Sequence, residues 1–184
     1  MKREDIRTPW WKLAAILSLF TSPIFIAIII ILVTYPEKLQ MDSTSNGFIV
    51  ASILSLFIGG VFIVAIALRH TVVIEDDRLI VSHSFYTLVL LKTEIQDIEL
   101  SQIETIRESG ITIRRNGIAA FGFYSGLFGC SQNGLGFCAI SAFPAHKFVV
   151  KGNSRFSQLF LSCSGTFAKE IYEWGKSNSR GSVA

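Results

Sequence analysis

Charge is scarce in this sequence, cysteine is odd in number, and no catalytic signature can be found. Charged residues fill 17% of the 184 positions against 50% hydrophobic, a balance too apolar for an ordinary soluble chain that points to membrane spans. The formal net charge of +3 lacks the concentrated basicity of a nucleic-acid binder, so nucleic acid is excluded as a partner. Three cysteines, Cys130, Cys138 and Cys163, do not make a disulfide framework and read as reduced thiols. Seven residues separate Cys130 from Cys138 and no paired histidines accompany them, so packing or loop roles are favoured over a metal site. His70, His83 and His146 are scattered, and there is no nucleophile elbow, HExxH, P-loop or dinucleotide-binding glycine pattern. Glu94, Asp97, Glu99, Glu104 and Glu108 alternate with Lys92 and Arg107 without calcium-loop spacing, which reads as a solvated face. The expectation is a protein that is not an enzyme and uses no cofactor or metal.

Two long runs lack charge altogether. Residues 13–33 read LAAILSLFTSPIFIAIIIILV, and 48–68 read FIVASILSLFIGGVFIVAIAL. Each has 21 residues, roughly 30 Å as a helix, which matches the hydrocarbon thickness of a bilayer. Pro23 is placed to kink the first, and Gly59-Gly60 offers close approach in the second. A cleaved signal peptide fits the first run poorly, because the run is too long and lacks a small-x-small site. Lys2, Arg3, Arg7, Lys12 and Arg69 flank the runs on one side, while only Lys38 lies between them. The positive-inside rule then predicts a multi-pass protein of the inner (plasma) membrane with both termini cytoplasmic. Residues 1–70 are expected to form this anchor.

The rest alternates between strand and turn signals. Thr71–Glu75 and Leu79–Ser82 flank Asp76-Asp77 as a hairpin, and Thr87–Leu91 is a further apolar run. Residues 95–106 fit either strand or helix. Ile111 and Ile113 alternate before Asn116-Gly117, a strong turn dipeptide. Phe137–Ala142, Lys147–Lys151 and Phe156–Ser162 read as strands. Phe167, Ala168, Ile171 and Trp174 form a helical stripe, with Ser164 or Thr166 as N-cap. Residues 177–184 make a polar tail.

About seven strands closed by one helix over residues 71–176 give an order similar to a pleckstrin-homology barrel. The residues that carry the likeness are Arg115-Asn116-Gly117, the run FGFYSGLFG from Phe121 to Gly129, the strand KFVVK at 147–151, and Leu159–Ser162 leading into SGTFAKEIYEW. The chain resembles the bacterial pleckstrin-homology-like domains found beside membrane spans. The resemblance implies an α+β membrane protein, a two-helix transmembrane hairpin followed by a seven-stranded barrel capped by a C-terminal helix. It implies no activity. The family's lipid-binding members place basic residues at the first hairpin turn, whereas here that turn is Glu75-Asp76-Asp77-Arg78, so phosphoinositide binding is not carried over.

Two groups remain as candidate contacts. Arg114, Arg115, Lys147, Lys151 and Arg155 would meet anionic headgroups or a partner if the strands gather them. Against that, residues 69–184 hold twelve Lys and Arg and ten Asp and Glu, close to neutral. Phe121, Phe123, Tyr124 and Phe128 are candidate interfacial aromatics, with a core role favoured. The expected function is a non-enzymatic, membrane-tethered interaction module that binds a protein partner or itself, the alternative being recognition of anionic lipid headgroups of the bilayer.

Overall fold

A computed structural model of the chain describes residues 1–6, 8–34, 59–60, 69–131 and 134–179. Two compact units emerge, one of Met1–Pro9 with Leu68–Ala184 and the other of Trp10–Ala67. The first nine residues therefore belong with the β-rich part, although the sequence places them in the anchor. Their strand β1 (Lys2–Asp5) pairs antiparallel with β2 (His70–Ile74).

In the second unit, α1 spans Trp10–Thr34 and covers the first expected membrane run. Among the described residues, however, no helix is long and apolar enough to cross a membrane. The second expected run, 48–68, lies outside the described residues except for Gly59 and Gly60. The transmembrane hairpin, and the inner-membrane location built on it, are corrected on this finding.

The expected barrel is also corrected, because the strands form two open sheets. The first has the order β1-β2-β3-β4, with β3 at Arg78–His83 and β4 at Tyr86–Leu91. All of its pairs are antiparallel. The second has the order β5-β9-β10-β8-β7-β6. Its strands are β5 (Ile95–Ile103), β6 (Ile111–Ala120), β7 (Phe123–Cys130), β8 (Leu135–Ile140), β9 (Ala145–Gly152) and β10 (Gln158–Leu161). β8 and β10 run parallel, and the other pairs are antiparallel.

Side-chain alternation explains the core. Val72 and Ile74, Leu79 and Val81, and Leu88 and Leu90 point to one side of the first sheet and are buried. They pack with Ile98, Phe137, Phe148, Val150, Leu159 and Leu161 of the second sheet. The intervening residues of the second sheet point the other way, where Phe128, Cys130, Cys138, Ile140 and Phe160 form a separate cluster. The first sheet thus buries one face and the second buries both. Cys130, Cys138 and Cys163 are free thiols, and burial pushes Cys163 up to about 12.

The helix α2 (Gly165–Ser179) closes the first cluster with Phe167, Ala168 and Ile171. It starts where it does because the Ser164 hydroxyl accepts a hydrogen bond from the Phe167 amide at 3.3 Å. Its far end is fastened to the β2–β3 turn, where the Trp174 indole donates to the Glu75 carbonyl at 2.9 Å.

Residues 95–106 resolve as strand β5 followed by a short 3-10 turn at Ile106–Ser109. Asn116-Gly117 does not turn the chain. It lies inside β6, and the hairpin reverses at Phe121-Gly122, both at positive φ (51° and 72°) as a primed two-residue turn requires. Gly117 instead faces Gly126, and a Cβ on Gly117 would run into the Ser125 carbonyl and Phe128, while Gly126 leaves room for Tyr86. A Cβ on Gly126 would stand 3.0 Å from that ring, and the Tyr86 hydroxyl donates to Asn116 Oδ1 at 3.0 Å. The turn dipeptide has become a packing site.

Candidate interaction site

Each open sheet has two edges, whose unpaired amides and carbonyls would accept another strand unless something prevents it. Charged side chains are the usual protection. On β1, all four residues of Lys2–Asp5 are charged. The β5 edge carries Asp97 and Glu99, and the β6 edge carries Arg114 and Arg115. No residue of the β4 edge, YTLVLL, is charged, and charged neighbours touch only its two ends, Arg69 at Thr87 Oγ1 (3.5 Å) and the Glu94 carboxylate at the Leu91 amide (3.2 Å). Alternation along it turns Leu88 and Leu90 into the core and leaves Thr87, Val89 and Leu91 outside, with Val89 48% exposed and Leu91 41%. Register sets Val89 beside Ile80 and Ile80 beside Val73, so the apolar edge continues inward as a row across the outer face of the sheet. Phe85, at the turn that opens β4, is 56% exposed. Sequence reading took 87–91 only as an apolar run. The usable signal was the alternation of Thr87, Val89 and Leu91 in a strand without charge.

The five basic candidates are not gathered. Arg114 and Arg115 lie on β6, four strand positions from β9 in the sheet order. Lys147 donates to the Ser109 carbonyl at 3.3 Å and stands 5.8 Å over the Phe160 ring, against the second cluster. Lys151 is bonded to Glu99 and lies 3.7 Å from Asp97. Arg155 stands 5.9 Å over the Phe156 ring. The acidic stretch is a paired surface, as Asp97 also bonds Lys176 at 2.6 Å and its carboxyl is held below the usual range chiefly by that bond.

Of the aromatic candidates, Phe123 and Phe128 are buried and Tyr124 is half-buried beside Phe128 and Phe143. Phe121 alone is exposed, at the tip of the β6–β7 turn. An apolar stripe also runs along α1 through Phe25, Ile26, Ile29, Ile30 and Val33. It belongs to the other unit, and nothing in the structure indicates its occupant.

The histidines that look scattered in the sequence are partly brought together. His70 and His83 are directly opposed on β2 and β3, both buried, with ring centres 3.9 Å apart. Phe123 stacks on His83 at 4.9 Å. Two imidazoles sharing a tetrahedral metal stand roughly 5 Å apart for metal–nitrogen bonds of about 2.0 Å, so contact this close is packing. Among the described residues no group of three His, Cys, Asp or Glu could hold a metal. The surface depressions beside α2 are lined by side chains such as Lys2, Glu75, Glu173, Tyr172 and Lys176, and neither pairs a nucleophile with a base.

Compared with known proteins, the chain matches no family model, no curated protein and no solved structure, so nothing there identifies a pleckstrin-homology-like domain or a membrane anchor.

Proposed function

We propose that the β unit is a non-enzymatic interaction module that receives an extended strand of a protein partner, or of a second copy of itself, along β4. The observation that supports this reading is the contrast among the edges: β1, β5 and β6 carry charges and β4 carries none. In such pairing the main-chain hydrogen bonds supply affinity, and the side chains alternating along the edge supply selectivity. Thr87, Val89 and Leu91 are those side chains here. The headgroup alternative has no comparable support, since its basic residues are dispersed and several are already paired.

The test places a photoreactive amino acid at Thr87 or at Val89 in the full chain, with exposed Lys169 as a control position. Crosslinks from 87 and 89 that disappear with Leu91→Lys, and that are absent from 169, support the reading. A product of twice the chain mass identifies self-association, and any other mass identifies a partner. Equal yields from all three positions would sink it.

A further inference from the structure

We infer that His70 and His83 form an acid-sensitive latch, which fastens the N-terminal segment and the base of the β3–β4 turn to the β unit. The rings touch across the last pair of the β2–β3 ladder, with 2% and 0% of their surface exposed. Several connections at this end of the sheet pass through the two residues, and the Ser84 amide donates to the Arg69 carbonyl beside them at 2.9 Å. The Ile6 amide donates to the His70 carbonyl at 2.9 Å, and Thr8 Oγ1 is hydrogen-bonded to His70 Nδ1 at 3.0 Å. His83 is paired with Tyr86 where β4 begins, and its carbonyl accepts from the Ser125 hydroxyl of β7 at 2.8 Å.

The surroundings of His83 suit a neutral ring. Phe123 of β7 covers both imidazoles, and neither ring nitrogen of His83 has a hydrogen-bond partner among the described residues. Groups that face the pair include the Thr8 hydroxyl from the N-terminal segment, Phe123 and the Ser125 hydroxyl from β7, and Arg69 just before β2. The Arg69 guanidinium reaches away to Thr87 Oγ1 at 3.5 Å. Among the described residues His70 is the only titratable group that bears on His83, and no carboxylate compensates a charge there. A proton on His83 would be buried beside a second imidazole, which is why burial first and His70 second hold it well below its ordinary value.

The sign follows by linkage. When the latch opens, His83 regains an ordinary value near 6.5, so the open form binds more protons below that pH. Closure is fully favoured above about 6.5 and is lost progressively as pH falls. A single such proton favours opening by about tenfold per pH unit while the closed form stays neutral. His70 and His83 lie on one hairpin, so opening would release β1 and loosen the start of β4 while β8, β9 and β10 stay paired.

Hydrogen exchange on the full chain between pH 7 and 5, corrected for the intrinsic rate, tests this. The expected result is that protection of residues 2–6 and 70–83 falls by about 25-fold in all between pH 7 and 5 beyond any fall at residues 135–161. The excess should vanish in His83→Phe and also in His83→Gln, either of which suffices should the other fail to fold. Parallel loss of protection in both regions of the unaltered chain would overturn the latch, as would survival of the excess in either variant.

Discussion

The two sheets solve the same problem differently. In the second sheet, β10 is buried along its whole length and β8 is nearly so, since each face has its own cluster. In the first sheet, β4 alternates between buried and exposed positions, because only one face meets the core. A sheet buried on both faces can change little without loss of packing. A sheet with one free face and an uncharged edge has surface left for another chain. On the proposed function, stability and interaction fall to different sheets of one unit, and four substitutions test that division.

The largest effect belongs to the second sheet. Phe148, fully buried on β9, should cost about 3–5 kcal/mol when replaced by alanine, read as a lower midpoint in urea at unchanged slope. An effect below about 1 kcal/mol would mean that the cluster is not close-packed. Next is the junction of helix and strand. Ser164 caps α2 and also binds the Glu4 carboxylate, its amide at 2.8 Å and its hydroxyl at 2.9 Å. Ser164→Ala should lose about 1 kcal/mol, with β1 amides exchanging faster than in the unaltered chain. Smaller and opposite in sign is Phe121→Asn. A bulky residue at positive φ is strained, and asparagine is favoured at the first position of this turn, so a rise in Tm equivalent to about 0.5–1 kcal/mol is expected. The smallest change in stability, within about 0.5 kcal/mol, should come from Val89→Lys, yet this variant should abolish crosslinking at the β4 edge. If Val89→Lys unfolds the chain, or binds as before, the division between the sheets fails.

Much of the first sheet was legible in the sequence. Thr71–Ile74 and Leu79–Ser82 are β-branched and apolar around Asp76-Asp77, and the hairpin forms there. The final helix was legible from Phe167, Ala168, Ile171 and Trp174 and from its Ser164 cap. Other features depend on partners distant in the chain and leave no local mark. Lys2–Asp5 has no strand signal and becomes one by pairing with β2. The split into two open sheets rather than a barrel, with β10 aligned parallel to β8, rests on pairings that neither segment announces. His70 and His83 sit thirteen residues apart with nothing to connect them until the β2–β3 register sets them face to face. Asn116-Gly117 misled because a local turn preference lost to pairing inside β6, where Gly117 lies opposite Gly126 and close against Phe128.

The position of β1 has a consequence for assembly. During synthesis Lys2–Asp5 leaves the ribosome well before its pairing strand, which begins at His70, and before its anchor on the helix, Ser164. This strand must wait for partners made long after it. The entropy of closing so long a loop grows only slowly with length, adding about 0.6 kcal/mol per doubling, so the delay is one of order more than of cost. The β2–β3–β4 hairpins can form while β1 is still unpaired, and the charged strand is then the final piece laid on the sheet. Until it docks, the nascent first sheet has a second bare edge, and the four charges of β1 keep that late-arriving strand from pairing elsewhere.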